Sequence, residues 1–137
     1  MRDGSLTVST MPNLKTFLVE DSPVIRANLS AALEDLAPVQ VIGFAETSSE
    51  ACARLKDLSS EGTCDLVIVD VFLRSGSGLD VLRCLQDQKS STQRVVLTNY
   101  ASAEIRNACL SLGAEAVFDK SRDIDALVDF CNRMATD

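Results

Sequence analysis

With 137 residues, the chain has the length of one ordinary domain and can bury a hydrophobic core of its own. Its 46% hydrophobic and 24% charged residues are typical of a folded globular protein, and no apolar stretch is long enough for a membrane span. The formal net charge of -7 argues against direct binding of nucleic acid, which needs clustered Lys and Arg.

The opening segment is polar and mixed, and it lacks the apolar run of a signal peptide. We expect residues 1–13 to form a mobile tail, and Met11 is an alternative start of the chain. Residues 14–137 are expected to form a single domain with no output domain after it.

From Lys15 onward, short apolar runs alternate with amphipathic stretches. This alternation predicts βα units around a parallel sheet, and the unbroken apolar character of the runs indicates strands that are covered on both faces. The predicted strands span residues 16–20, 39–44, 66–70, 95–98 and 116–118. The predicted fold class is therefore α/β.

Five amphipathic helices are expected between and after these strands. The first begins with Ser22 as its cap and Pro23 at its first position, and the second begins at a capping box from Thr47 to Glu50. The third begins near Ser77, and the fourth ends before Gly113. The residues expected to face the core are Ile25, Leu29, Ala32, Leu33, Leu36, Ala51, Leu55, Leu58, Val81, Leu82, Leu85, Ile105, Ala108, Cys109, Leu112, Ile124, Leu127, Val128, Cys131 and Met134.

The five cysteines include no C-x-x-C pair and the chain has no histidine, so a zinc site has almost no available ligands. Most of the cysteines fall on apolar helix faces, where a free thiol packs as a small hydrophobic group. We therefore expect core packing rather than redox function, and a reducing, cytoplasmic location. The cysteines are Cys52, Cys64, Cys84, Cys109 and Cys131.

Carboxylate, hydroxyl and amine side chains lie at the ends of the predicted strands. The first strand ends in Glu20 and Asp21, the third in Asp70 and the fourth in Thr98, and Lys120 closely follows the fifth. In an open parallel sheet, ligands bind beyond the carboxyl ends of the strands, where the winding direction reverses. The sequence therefore predicts that three carboxylates, a hydroxyl and an amine converge at one edge of the sheet.

These residue types suit phosphoryl transfer. Clustered carboxylates are ligands for Mg²⁺ (or Mn²⁺), an aspartate such as Asp70 can attack phosphorus, and a lysine stabilises the charge on the equatorial oxygens. Taken singly, an Asp after a strand is more often a loop or cap residue, and a strand-end Lys or Thr is more often scaffold. Acids crowded at one edge are costly unless a cation or lysine offsets them, and this favours the joint functional interpretation.

The ordered set of segments resembles the receiver domains of two-component response regulators, over residues 14–134. No single segment is specific, but their order is. The segments are residues 17–23 (FLVEDSP), residues 65–70 (DLVIVD), Gly78 eight positions after Asp70, residues 95–98 (VVLT) and residues 113–120 (GAEAVFDK). The resemblance implies a flavodoxin-like, doubly wound, five-stranded parallel sheet with strand order 2-1-3-4-5 and five helices.

The resemblance also implies the roles of the site residues. Asp70 would accept a phosphoryl group from the phosphohistidine of a histidine kinase or a histidine phosphotransfer protein. Asp21 would bind Mg²⁺ directly with Asp70, and Glu20 would assist, through water. The backbone carbonyl of Phe72 would complete the protein's share of the metal ligands. By the same resemblance, Thr98 would move to bond the phosphoryl group and Lys120 would pair with it.

The chain departs from the family pattern at several positions. Arg74 and Ser121 replace common prolines four residues after the phosphoacceptor and directly after the lysine. Val117 replaces the usual aromatic residue that rotates inward as Thr98 moves, and Asn99 replaces a small residue. We expect Val117 and Asn99 to tune the switch.

Two aromatic residues are further candidates for tuning the lifetime of the phosphate. Phe72 lies two residues after Asp70, and Tyr100 lies two residues after Thr98. Large side chains here would obstruct the attacking water, so we expect slow self-dephosphorylation. The alternative is that both are surface hydrophobic residues without such a role.

The expected output is the binding of an unknown protein through the surface of the fourth helix, fifth strand and fifth helix, without a membrane or nucleic acid. Such a protein would catalyse only its own phosphorylation and dephosphorylation. One alternative is a degenerate receiver that binds partners independently of phosphate. A haloacid-dehalogenase-type phosphatase is less well supported, because Phe72 stands where that family needs a second acid.

Overall fold

The computed structural model describes residues 13–136. The predicted tail therefore lies outside the described residues apart from Asn13, as does the alternative start at Met11. The described residues form five strands and five helices. In chain order these are β1 (Leu14–Val19), α1 (Pro23–Leu36), β2 (Val39–Ala45), α2 (Ser48–Glu61), β3 (Leu66–Val69), α3 (Gly78–Asp87), β4 (Gln93–Thr98), α4 (Ala103–Ser111), β5 (Ala116–Asp119) and α5 (Ile124–Thr136).

The five strands form one parallel sheet in the order β2-β1-β3-β4-β5, as the resemblance implied. All four residues of β3 are buried, in agreement with an apolar strand at the centre of a sheet that helices cover on both faces. The chain winds from β1 outward to β2 and then returns to the other side of β1. The carboxyl ends of β1 and β3 therefore flank the crevice of the sheet.

The helix starts follow the predicted caps, with one difference. The Ser22 hydroxyl accepts a hydrogen bond from a backbone N–H of α1, and the Thr47 hydroxyl accepts one from the N–H of Glu50. The Glu50 carboxylate accepts from the N–H of the residue before Thr47, so the predicted capping box is only half formed. A reciprocal capping box is present at α3, between Ser77 and Asp80.

The hydrophobic core has two layers, one on each face of the sheet. Helices α1 and α5 cover one face, and α2, α3 and α4 cover the other. Leu36, the last residue of α1, was predicted to face the core but is 53% exposed. No helix of the described part of the chain is both long and apolar enough to cross a bilayer. The fully buried helix side chains include Leu33, Ala51, Leu55, Val81, Leu82, Leu85, Cys109, Leu127 and Cys131.

The expectation of free thiols is correct for three cysteines and wrong for two. Cys64, Cys109 and Cys131 are free and buried. Burial raises the pKa of Cys64 and of Cys131 to about 11, and it also raises the pKa of Cys109. Cys52 and Cys84 instead form a disulfide between α2 and α3, because these helices lie side by side with the two Cα atoms 5.9 Å apart.

Candidate functional site

The carboxyl ends of β1, β3, β4 and β5 meet around an open cleft of about 210 Å³. This is the edge of the sheet at which the strand-end residues were expected to converge. The cleft brings together nearly all of the predicted site residues. Those that line it are Glu20, Asp21, Asp70, Phe72, Thr98, Asn99, Tyr100 and Lys120.

Lys120 is the central contact of the cleft. Its Nζ lies 2.5 Å from Oε1 of Glu20 and 2.8 Å from Oδ2 of Asp70, and all three side chains are largely buried. Burial alone would lower the pKa of Lys120, but the hydrogen bonds to Asp70 and Glu20 outweigh it and hold this pKa above its ordinary value. The ammonium therefore offsets two carboxylates that would otherwise repel each other.

The second oxygen of each carboxylate is held by backbone. Oδ1 of Asp70 accepts from the N–H of Phe72 at 3.3 Å, and Oε2 of Glu20 accepts from the N–H of Ser22 at 3.0 Å. Both side chains therefore hydrogen-bond to the start of their own loop, which restricts their rotation. Asp21, by contrast, forms no ion pair with Lys120 and lines the cleft from the partly exposed turn after β1.

The loop after Asp70 approaches α3 so closely that Gly78 is required for steric reasons. A Cβ atom at Gly78 would lie 2.3 Å from the carbonyl oxygen of Asp70 and 2.8 Å from Val71 Cα. The N–H of Gly78 donates to the carbonyl of Val71 at 2.9 Å. The glycine noted in the sequence therefore lets the start of α3 pack against the backbone of the site.

Thr98 and an aromatic pair, which we define as Phe72 and Tyr100, also line the cleft. Thr98 is fully buried, and its Oγ1 accepts from the N–H of Tyr100 at 3.3 Å. The rings of the aromatic pair make an edge-to-face contact with centroids 5.1 Å apart, although the residues are 49% and 65% exposed. Both residues line the cleft while exposing much of their surface to solvent.

Val117 is the one predicted tuning residue that does not line the cleft. It is buried on the face covered by α3 and α4, among a cluster that includes Val96 and Cys109. The next residue, Phe118, points to the other face and contacts Phe130 of α5 with ring centroids 6.0 Å apart. The side chains of Val117 and Phe118 therefore pack on opposite faces of the sheet, and neither lines the cleft.

An ion-pair bridge that the sequence did not reveal supports the site from the side of β2. Arg26 donates to the carbonyl oxygen of Glu20 at 2.7 Å and to the Glu46 carboxylate at 2.9 Å. The other oxygen of Glu46 accepts from Arg74 in the loop after Asp70, at 3.1 Å. These residues are separated by 20 and 28 positions, so no local pattern could have identified them.

The turn that follows Lys120 is built without a proline. Oδ1 of Asp119 accepts from both the N–H and the hydroxyl of Ser121, and these hydrogen bonds hold the pKa of Asp119 below its ordinary value. No peptide bond between the described residues is cis. Ser121 thus organises this turn by hydrogen bonding.

The oxygen donors of the cleft match a hard divalent cation in chemical type. Carboxylates and a backbone carbonyl are the ligands that Mg²⁺ prefers. Among the described residues, however, no three acids are gathered closely enough to form a metal-binding group. Lys120 lies between Glu20 and Asp70 instead.

Solved structures share this fold. The chain is similar to the response regulator domain of Thermotoga maritima CheB, with a TM-score of 0.78 and 17% identity over 91% of this chain and 98% of that chain. It is also similar to a chain of the CheX-CheY-BeF3-Mg+2 complex from Borrelia burgdorferi, with a TM-score of 0.77 and 17% identity over 89% of each chain. At such identities the likeness shows the fold alone.

Similar sequences belong to longer proteins. The chain is 31% identical over 118 residues to protein-glutamate methylesterase/protein-glutamine glutaminase 1 of Syntrophus aciditrophicus, which is 82% of this chain and 33% of the relative. It is 31% identical over 101 residues to the DNA-binding transcriptional activator DevR/DosR of Mycobacterium tuberculosis, which is 74% of this chain and 45% of the relative. The chain thus spans a third to a half of the length of these relatives. The family model of the response regulator receiver domain matches residues 16–132, and the chain accordingly belongs to this family of two-component signalling domains.

Proposed function

We propose that this receiver domain takes a phosphoryl group onto Asp70 from the phosphohistidine of a histidine kinase or a histidine phosphotransfer protein. The observation that carries the proposal is the position of Lys120, whose ammonium bonds Asp70 and Glu20 simultaneously. A fixed ammonium beside the nucleophilic carboxylate is what a transition state with charged equatorial oxygens requires. Since these 137 residues contain no histidine, the phosphohistidine lies outside this sequence.

The proposed reaction exchanges one bond to phosphorus for another. A carboxylate oxygen of Asp70 attacks the phosphorus atom while the bond between phosphorus and the donor's imidazole nitrogen breaks, and the imidazole leaves. Lys120 then pairs with the new phosphoryl group, and the Thr98 hydroxyl donates to it. Oγ1 of Thr98 now accepts from the N–H of Tyr100, so the hydrogen of this hydroxyl remains available to the phosphoryl group.

In this proposal the cleft binds Mg²⁺ (or Mn²⁺) through Asp21, Asp70 and the carbonyl of Phe72, with Glu20 assisting. The ion would neutralise phosphoryl charge as the bond to Asp70 forms. The oxygen-only donor set supports this assignment. Lys120 now occupies the space between Glu20 and Asp70, so we expect its contact with Glu20 to lengthen when the metal and the phosphoryl group are bound.

We further propose that phosphorylation changes a protein-binding surface formed by α4, β5 and α5, and that the domain acts through a partner protein rather than through contact with nucleic acid. Thr98 ends β4, so a movement of its side chain acts directly on the connection to α4. Because Val117 stands in place of an aromatic residue, we propose that this movement is conveyed by the packing of the β4–α4 loop.

The test is transfer from a phosphorylated histidine kinase domain or phosphotransfer protein in the presence of Mg²⁺. The intact mass should increase by one phosphoryl group, and the Asp70→Asn variant should not gain it. Asp35→Asn is the matched control, because Asp35 lies exposed on α1 and is outside the cleft. Transfer that survives Asp70→Asn would refute the proposal.

The same samples separate the two alternatives. Turnover of a generic phosphate ester would support a phosphatase, and our proposal predicts none. Failure of every phosphohistidine donor and of acetyl phosphate to modify Asp70, with the fold intact, would support the degenerate receiver.

A further inference from the structure

The disulfide between Cys52 and Cys84 lies outside the cleft and has no part in the proposed phosphoryl transfer. It joins α2 to α3, which cover the same face of the sheet. Both cysteines are partly exposed, unlike the other three cysteines, which are buried. The two Cα atoms are 5.9 Å apart, a separation that allows a disulfide without movement of the backbone.

The two helices are also held together by contacts that do not need the disulfide. Gln88, which follows α3, donates from its side-chain amide to the carbonyl of Cys52 at 3.4 Å, and the hydroxyls of Ser59 and Ser90 are 3.0 Å apart. Apolar side chains of both helices share one core cluster. Two thiols at these positions would therefore remain neighbours after reduction, which favours closure of the bond again.

The other three cysteines differ from this pair in burial and are not bonded to one another. Cys64, Cys109 and Cys131 are buried, and burial raises the pKa of each thiol, so little thiolate forms near neutral pH. We refer to these three as the buried thiols. They are unsuited to exchange with reagents in solution.

We propose that Cys52 and Cys84 are a reversible thiol–disulfide site, which exchanges with small disulfides of the glutathione class and links α2 covalently to α3 when oxidised. In the oxidation, the thiolate of one cysteine attacks the small disulfide, which releases one small thiol and leaves a mixed disulfide. The second cysteine thiolate attacks the protein sulfur of that bond and releases the second small thiol. Two electrons and two protons pass from the cysteine pair to the small disulfide.

The segment that the disulfide closes gives the link a consequence for the domain. It spans 32 positions and includes β3, Asp70 and the loop to α3. Closing this segment restricts the unfolded chain, so the oxidised protein should unfold about 10 °C above the reduced protein. This inference does not rest on the proposed phosphorylation, and it can fail or succeed independently of it.

The experiment uses the full chain incubated with oxidised glutathione, and then with excess reduced glutathione, under native conditions. Each sample is denatured and alkylated, and the alkyl groups are counted by mass spectrometry. We expect three alkyl groups after oxidation and five after reduction, with Cys52 and Cys84 recovered as one linked peptide pair after oxidation. Melting curves of the same samples should show the shift of about 10 °C.

Variants distinguish this site from general thiol chemistry. Cys52→Ser and Cys84→Ser should each abolish the increase in Tm on oxidation. Cys109→Ala should retain this increase, although the Tm of its reduced form should be lower than that of the reduced parent. The proposal is overturned if oxidation yields only glutathione adducts, if reduced glutathione cannot open the bond in the folded protein, or if the shift survives in either serine variant.

Discussion

Replacing Lys120 with methionine tests the electrostatic balance of the cleft. The substitution keeps an unbranched side chain of similar length but removes the ammonium that lies 2.5 Å from Glu20 and 2.8 Å from Asp70. The two carboxylates are then left buried and facing each other without a cation. We expect Lys120→Met to destabilise the protein at neutral pH in buffer without divalent metal.

The expected loss of stability follows from the burial of the ion pairs that Lys120 forms with Glu20 and Asp70. Removing one partner of a buried, hydrogen-bonded ion pair costs about 3 kcal/mol, which for a domain of this size lowers Tm by roughly 10 °C. The pKa of Lys120 is raised, so its stabilising charge is complete below the ordinary lysine pKa and is lost only as the pH rises through the still higher folded value. At pH 7 the comparison therefore measures the full contribution of the charge.

The assay is thermal unfolding of the parent and the variant at pH 7, with and without Mg²⁺. Mg²⁺ should raise the Tm of the variant more than that of the parent. Lys56→Met, on the exposed face of α2, is the control and should change Tm by little. An equal Tm for Lys120→Met and the parent at pH 7 would contradict the reasoning.

Three further predictions concern the glycine beside Asp70, the turn after Lys120 and the aromatic pair. Gly78→Ala should lower the free energy of unfolding by about 2 kcal/mol, because the added Cβ meets the backbone of the site. Gly62→Ala has open space around it but a φ of 67°, and it should lower the free energy of unfolding by about 1 kcal/mol. Equal losses would argue against the steric explanation. Ser121→Ala should raise the pKa of Asp119 measured by NMR titration, since Ser121 holds that pKa low. The stability that the lowered pKa provides is present above the ordinary Asp pKa and is lost as the pH falls through the lowered value. If the parent and the variant had the same acid unfolding curve, this account would be refuted. Replacing both members of the aromatic pair with alanine should shorten the lifetime of the phosphorylated domain about tenfold, followed by intact mass; an unchanged lifetime would show that the pair does not obstruct water.

The sequence was sufficient for the sheet and for most of the cleft. Unbroken apolar runs indicate the buried strands, and the carboxyl ends of parallel strands meet at one edge, so the sequence alone predicts that Glu20, Asp70 and Lys120 lie together. The strand order came from the resemblance to receiver domains, and the predicted strand ends differ from the observed ones by two residues at most.

Tertiary structure alone decided the contacts between elements that are distant in the chain. The disulfide of Cys52 and Cys84 depends on how α2 and α3 lie against each other, and the Glu46 bridge depends on two loops that meet beside the cleft. Likewise, Val117 could be recognised as a departure from the family, but its place under α3 and α4 is a matter of packing. A periodic pattern reports which face of an element is buried, whereas the partner on that face is selected by packing of the whole domain.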